Sequence, residues 1–224
     1  MARFALQHLR YDASASRCPM NSVRATLREA ARLLRSTYPD FPSGRGARFN
    51  VEDRAKRARI AATDDLGSFD AWDDKLRLNL EIDPLGTAVH ELLHANAFSD
   101  DWLPDDTGRD EILSFRGFEI QRLTPDREHV IAIYHRGLNE GVTELLTKRA
   151  YQPASPAYVE LVPLAEEVES RIGLDLLARI YFDAGYPGLE ARLGLRALHE
   201  ISARADRQLS REGAAGSRIC RSAI

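Results

Sequence analysis

The stretch TAVHELLHAN, residues 87–96, constrains this chain more than any other segment. Histidines four apart on an α-helix are offset by only ~40° around its axis. His90 and His94 therefore project from one face and can take two adjacent corners of a zinc tetrahedron. Glu91, one residue on from His90, points to the flank, where a carboxylate can hold and deprotonate a water instead of ligating. Val89, Leu92 and Leu93 face the other way and bury the helix. Just upstream, Asp83 is a natural N-cap and Pro84 suits the first helical position, so the spacing predicts a helix from Pro84 to about Phe98.

Around that helix the patterning is mixed. Val23, Leu27, Ala30 and Leu34 follow helical spacing and predict a helix over 22–36, capped at Asn21 or Ser22. ARFNVE and RARIAAT read as short strands. KLRLNLEI alternates, with Leu76, Leu78, Leu80 and Ile82 on one face, and is expected as the second arm of a hairpin turning near Asp73 and Asp74. ILSFRGFEIQR and EHVIAIYHRG suggest a second hairpin, although the latter also suits a helix. Asn139 is a candidate cap for a helix to about Arg149. Beyond it, SPAYVELVPLAEEVESRIG, with a bend at Pro163, LDLLARIYFDAG and GLRALHEISARADRQL are helical in tendency. The expected fold class is α+β: a small antiparallel or mixed sheet packed on a zinc-binding helix, followed by a mostly helical C-terminal part. In domain terms, residues 1–45 form a helical extension, 46–210 the metal-binding domain and 211–224 a flexible tail.

Two histidines do not make a zinc site, and a third ligand has two candidates. Asp100 falls where the HExxHxxGxxH pattern of metzincins has its last histidine. That pattern also needs a glycine where this chain has Ala97, and a methionine after the motif, whereas Met1 and Met20 both precede it. The other candidate lies in GLNEGVTELLTKRA, where Glu140 and Glu144 share a helical face. Glu140 would complete the tetrahedron, and Glu144, one turn along, would accept a hydrogen bond from a ligating histidine, most plausibly His90. A solvated acidic helix face explains the charges equally well, but not their coincidence with HELLH.

HELLH followed by LNEGVTELLT resembles the gluzincins, the thermolysin-like clan of zinc peptidases, and particularly their small single-domain bacterial members. GSFDAWDDKLRLNL, FRGFEI and LARIYFDAG are similar to those members too, so the likeness spans roughly residues 66–186. The resemblance implies His90, His94 and Glu140 as zinc ligands, Glu91 as general base and Glu144 as the partner of a ligating histidine. It also implies peptide-bond hydrolysis, with an extended substrate lying alongside an edge strand, for which KLRLNLEI is the candidate. A second donor for the tetrahedral intermediate is usually Tyr, His or Arg. Tyr158 is the first choice, with Tyr151, His135 and His199 behind it.

Bulk properties agree with a soluble protein. With 224 residues, 44% hydrophobic, the chain can bury one good core, and a net charge near −3 with dispersed basic residues argues against nucleic acid as a partner. No window approaches ~18 continuous apolar residues. The first residues lack a signal-peptide pattern, so a cytoplasmic location and no membrane partner are expected. Cys18 and Cys220, near opposite ends, suit free thiols. The acidic stretch FSDDWLPDDTGRDE reads as a solvated loop or a rim selecting basic substrates. The expected partner is a protein or peptide substrate. The competing reading is a zinc-stabilised interaction module without turnover, against which an intact Glu91 argues.

Overall fold

The computed structural model describes residues 19–39, 41, 59–60, 67–70, 75–78, 83–102, 111–153 and 157–221. Seven α-helices and seven strands lie among the described residues. In chain order they are α1 (Pro19–Thr37), β1 (Arg59–Ile60), β2 (Gly67–Asp70), β3 (Lys75–Leu78), α2 (Pro84–Asn96), β4 (Ser99–Trp102), β5 (Ile112–Arg116), β6 (Glu119–Leu123), β7 (Val130–Tyr134) and α3 (Arg136–Ala150). A 3₁₀ turn (Val159–Leu161) then leads into α4 (Val162–Ile172), α5 (Leu174–Asp183), α6 (Gly185–Leu193) and α7 (Leu195–Arg221). The protein is α+β, with a mostly helical C-terminal part as expected.

Local rules account for the first helices. Val23, Leu27, Ala30 and Leu34 are fully buried, so α1 lays its apolar stripe on α2 and joins the common core rather than standing apart. Asp83 takes a left-handed φ of 39° and accepts the Gly86 N–H at 3.0 Å, which caps α2 as its sequence predicts. α3 differs from both: it is buried continuously from Gly137 to Thr147 and packs against α2, α4, α7 and the 3₁₀ turn. It is the central element around which α2 and the C-terminal helices gather.

Two sheets flank these helices. In the smaller, of order β1-β3-β2, β2 pairs antiparallel with β3, as a hairpin should, while β1 runs parallel on the other side. This corrects one expectation: KLRL is the middle strand, with β2 along its whole length on one side and β1 along Arg77 and Leu78 on the other, so it is not a simple edge strand. Residues 79–82, the turn near Asp73 and Asp74, and ARFNVE lie outside the described residues. The larger sheet is an antiparallel meander, β4-β5-β6-β7. ILSFRGFEIQR is itself a hairpin that turns at Gly117 and Phe118, and VIAIY follows as the next strand instead of a helix. Gly117 is required there. Its φ is 58°, and a Cβ would come within 2.5 Å of Asn139 Oδ1 and 3.0 Å of the Tyr181 ring.

Other boundaries also move. Helix α3 begins at Arg136, with His135 in the left-handed cap position, so Asn139 lies inside the helix and not at its start. Pro163 sits in the first turn of α4, where its missing N–H costs nothing, and produces no mid-helix bend. Part of the predicted acidic loop is strand β4, whose Trp102 is 45% exposed. α6 was not anticipated, and α7 continues as helix through Arg221, beyond the residue 210 boundary expected for the tail. No helix among the described residues is long and apolar enough to cross a membrane.

Candidate metal centre

α2 and α3 cross so that His90, His94 and Glu140 converge. His94 Nε2 is 3.1 Å from His90 Nε2 and 3.1 Å from Glu140 Oε2, and His90 Nε2 is 3.5 Å from the same oxygen. Ligands ~2.0–2.1 Å from a tetrahedral zinc ion stand ~3.3 Å apart, so these three edges fit one face of its tetrahedron. Hydrogen bonding alone explains the triangle poorly. If both histidines donate to Glu140, their two Nε2–H groups are left 3.1 Å apart with no acceptor between them, at a site where all three residues are at least half-buried. Among the described residues no other cluster of three His, Cys, Asp or Glu side chains comes together in this way. Nitrogen and oxygen donors without thiolate suit zinc and, with lower affinity, cobalt.

The surroundings orient these ligands. Glu144, 1% exposed, brings Oε2 within 3.3 Å of His90 Nδ1, on the side of the ring away from the triad. Asn139 lies with Nδ2 3.4 Å from His94 Nδ1, while its Oδ1 accepts the Phe118 N–H at 3.0 Å. The β5–β6 turn is thus tied through Asn139 to α2. Burial disfavours charge on His90, yet the contacts from Glu140 and Glu144 and the charge of Glu91 outweigh it, raising its pKa to about 10. Burial also pushes Glu140 up, but the charge of His94 and hydrogen bonds from both histidines hold it well below the ordinary carboxylate range. The pocket therefore favours positive charge on the His90 imidazole beside carboxylates, a balance that a divalent cation would replace. Glu91 is 8% exposed, and its charge acts on His90 and Tyr158.

The sequence candidates separate. Glu140 joins the two histidines. Asp100 does not: it is on β4, where its Oδ2 accepts from Trp102 Nε1 at 2.7 Å. Tyr158 stacks on His90, with ring centroids 5.9 Å apart and planes at 29°. Glu140 first and burial second push its phenol well above the ordinary range, so it stays protonated as a donor. Tyr151 caps the far end of α3. His135 stacks on Tyr186 at 4.6 Å, and the exposed His199 lies 5.6 Å from it, so both belong to a separate cluster against α7.

Three residues near the triad escaped the sequence reading. Asn139 had a local signal, since it adjoins Glu140. Arg136 had one too, being four residues before Glu140. Glu119, 8% exposed and pushed up in pKa first by burial, had none, because the β5–β6 turn brings it to the site. The charges of Glu140 and His94 both act on it.

Comparison with protein families, curated proteins and solved structures gives no match.

Proposed function

We propose that this protein is a zinc-dependent peptidase in which His90, His94 and Glu140 hold the metal. The observation that carries the reading is the convergence of His90 Nε2, His94 Nε2 and Glu140 Oε2 to within 3.1–3.5 Å, with the Glu91 carboxylate on the adjacent residue. The likeness of HELLH and LNEGVTELLT to the gluzincins points the same way.

Zinc bound there would act as a Lewis acid, polarising the scissile carbonyl and bringing the pKa of water towards ~7. Glu91 takes a proton from the attacking water as its oxygen bonds to the carbonyl carbon. As the C–N bond breaks, Glu91 returns that proton to the leaving nitrogen. Tyr158, kept protonated, donates to the carbonyl oxygen as negative charge develops on it. Glu144 holds His90 through its Nδ1 side, and Asn139 steadies His94. These two keep the ligands oriented without touching the substrate.

The test is Glu91→Gln. Cleavage of a peptide library should fall by about 10²–10⁴-fold while zinc content, measured by elemental analysis, stays near that of the parent. Zinc should be lost in Glu140→Ala and kept in Asp100→Ala. A folded parent that takes up no zinc when supplied with it would overturn the reading. Zinc uptake without cleavage would leave the metal as a stabiliser of an interaction module.

A further inference from the structure

Strand β7, Val130–Tyr134, closes one side of the four-stranded sheet, and no strand among the described residues pairs with its outer side. Its residues, Val-Ile-Ala-Ile-Tyr, include no charge and no proline, and Val130, Ile131, Ile133 and Tyr134 are each between 40% and 48% exposed. The opposite edge is different: β4 reads Ser-Asp-Asp-Trp, with Asp100 exposed. Charged side chains on an edge strand discourage pairing with another chain, whereas a bare apolar edge is a template for it. One edge of this sheet is guarded and the other is open.

The order of residues along β7 says what fits it. The strand is nearly palindromic about Ala132. Set antiparallel to a second copy across a twofold axis at Ala132, Ile131 falls opposite Ile133 of the other copy, and Val130 opposite its Tyr134. Aliphatic and aromatic–β-branched pairs of this kind are favourable across antiparallel strands. The charges just outside the strand agree. The same pairing brings Glu128, two residues before β7, to Arg136, two residues after it, once at each end. Both side chains are exposed, and Arg136 approaches Glu119 only loosely, Nε to Oε2 at 3.9 Å. An unrelated extended peptide would meet the apolar strand but not this matched pair of charges.

We infer that β7 is a dimerisation edge, where two copies of this protein pair antiparallel about Ala132 and join their four-stranded sheets into one of eight strands. The twofold uses each β7 once, so assembly stops at two. The register shift opposite Leu123 falls at the Val130 end and leaves only a short regular stretch, so the dimer forms reversibly. Helix α3 begins at Arg136, and each copy's Glu140 therefore lies little more than one turn from the shared edge. The pairing itself needs no metal and stands apart from the peptidase reading.

Sedimentation velocity of the full chain over a hundredfold range of concentration is the test. The parent should pass from monomer to dimer, and Ile133→Lys, a charge on an already exposed position, should remain monomeric. Glu128→Arg and Arg136→Glu should each weaken the dimer about tenfold by setting like charges together, and the double variant Glu128→Arg with Arg136→Glu should recover it. A parent that is monomeric throughout, a dimer that survives Ile133→Lys, or association that runs on beyond two copies would overturn the inference. So would a monomeric parent that binds an extended apolar peptide and loses it in Ile133→Lys, because the edge would then belong to a substrate.

Discussion

His135 carries a buried imidazole that takes no part in the His90, His94 and Glu140 cluster, and its consequence is a pH dependence. It is 9% exposed, stacks on Tyr186, and has no hydrogen-bond partner for Nδ1. Burial pulls its pKa down from 6.5, Asp206 works against that and His199 adds to it, and the result is about 4. Between those values the unfolded chain binds the proton and the folded one does not. Stability from this residue is therefore complete above pH 6.5 and is lost as pH falls towards 4. Allowing for solvent screening, the loss is about 1–2 kcal/mol. His135→Asn, which tolerates the left-handed φ of 62°, should flatten the acid limb of a urea-denaturation series over that window. An unchanged slope would mean that other groups set it.

Among the elements, α3 depends on α7 at its N-terminus. The side chain of His135 makes no capping hydrogen bond; instead Asp206 accepts the Gly137 N–H at 2.7 Å and the His135 N–H at 3.0 Å. That approach needs Gly137 to lack a side chain, because a Cβ there would meet the Ala205 carbonyl carbon at 2.3 Å and its oxygen at 2.4 Å. Helix propensity alone would make Gly137→Ala stabilising by about 1 kcal/mol. Overpacking against a backbone carbonyl costs about 1–3 kcal/mol and opposes that gain, with the backbone unable to swing aside as a side chain does. The variant should therefore be net destabilised in chemical denaturation. Its zinc affinity in chelator competition should also fall, since Glu140 rides less than one turn further along α3.

For the molecule as a whole, a metal bound to α2 and α3 would clip together two helices that the chain separates by 46 residues between His94 and Glu140. Binding to the folded state alone stabilises it by mass action. EDTA should lower the melting temperature of the zinc-loaded parent by several degrees and leave Glu140→Ala unmoved; equal shifts in both would place the metal elsewhere. Much of this architecture was already legible along the chain. Apolar spacing exposed α1, the Asp83-Pro84 pair located the start of α2, and the four-residue steps His90 to His94 and Glu140 to Glu144 put each pair on one helical face. These are local properties, decided by backbone geometry within a few residues. Tertiary structure alone decided that Glu140 rather than Asp100 meets the histidines, that KLRL is flanked on both sides, that Asp206 caps α3, and that Glu119 reaches the pocket. Each of those depends on contacts between segments far apart in sequence, where the winning partner is set by how the core packs and by no rule of spacing.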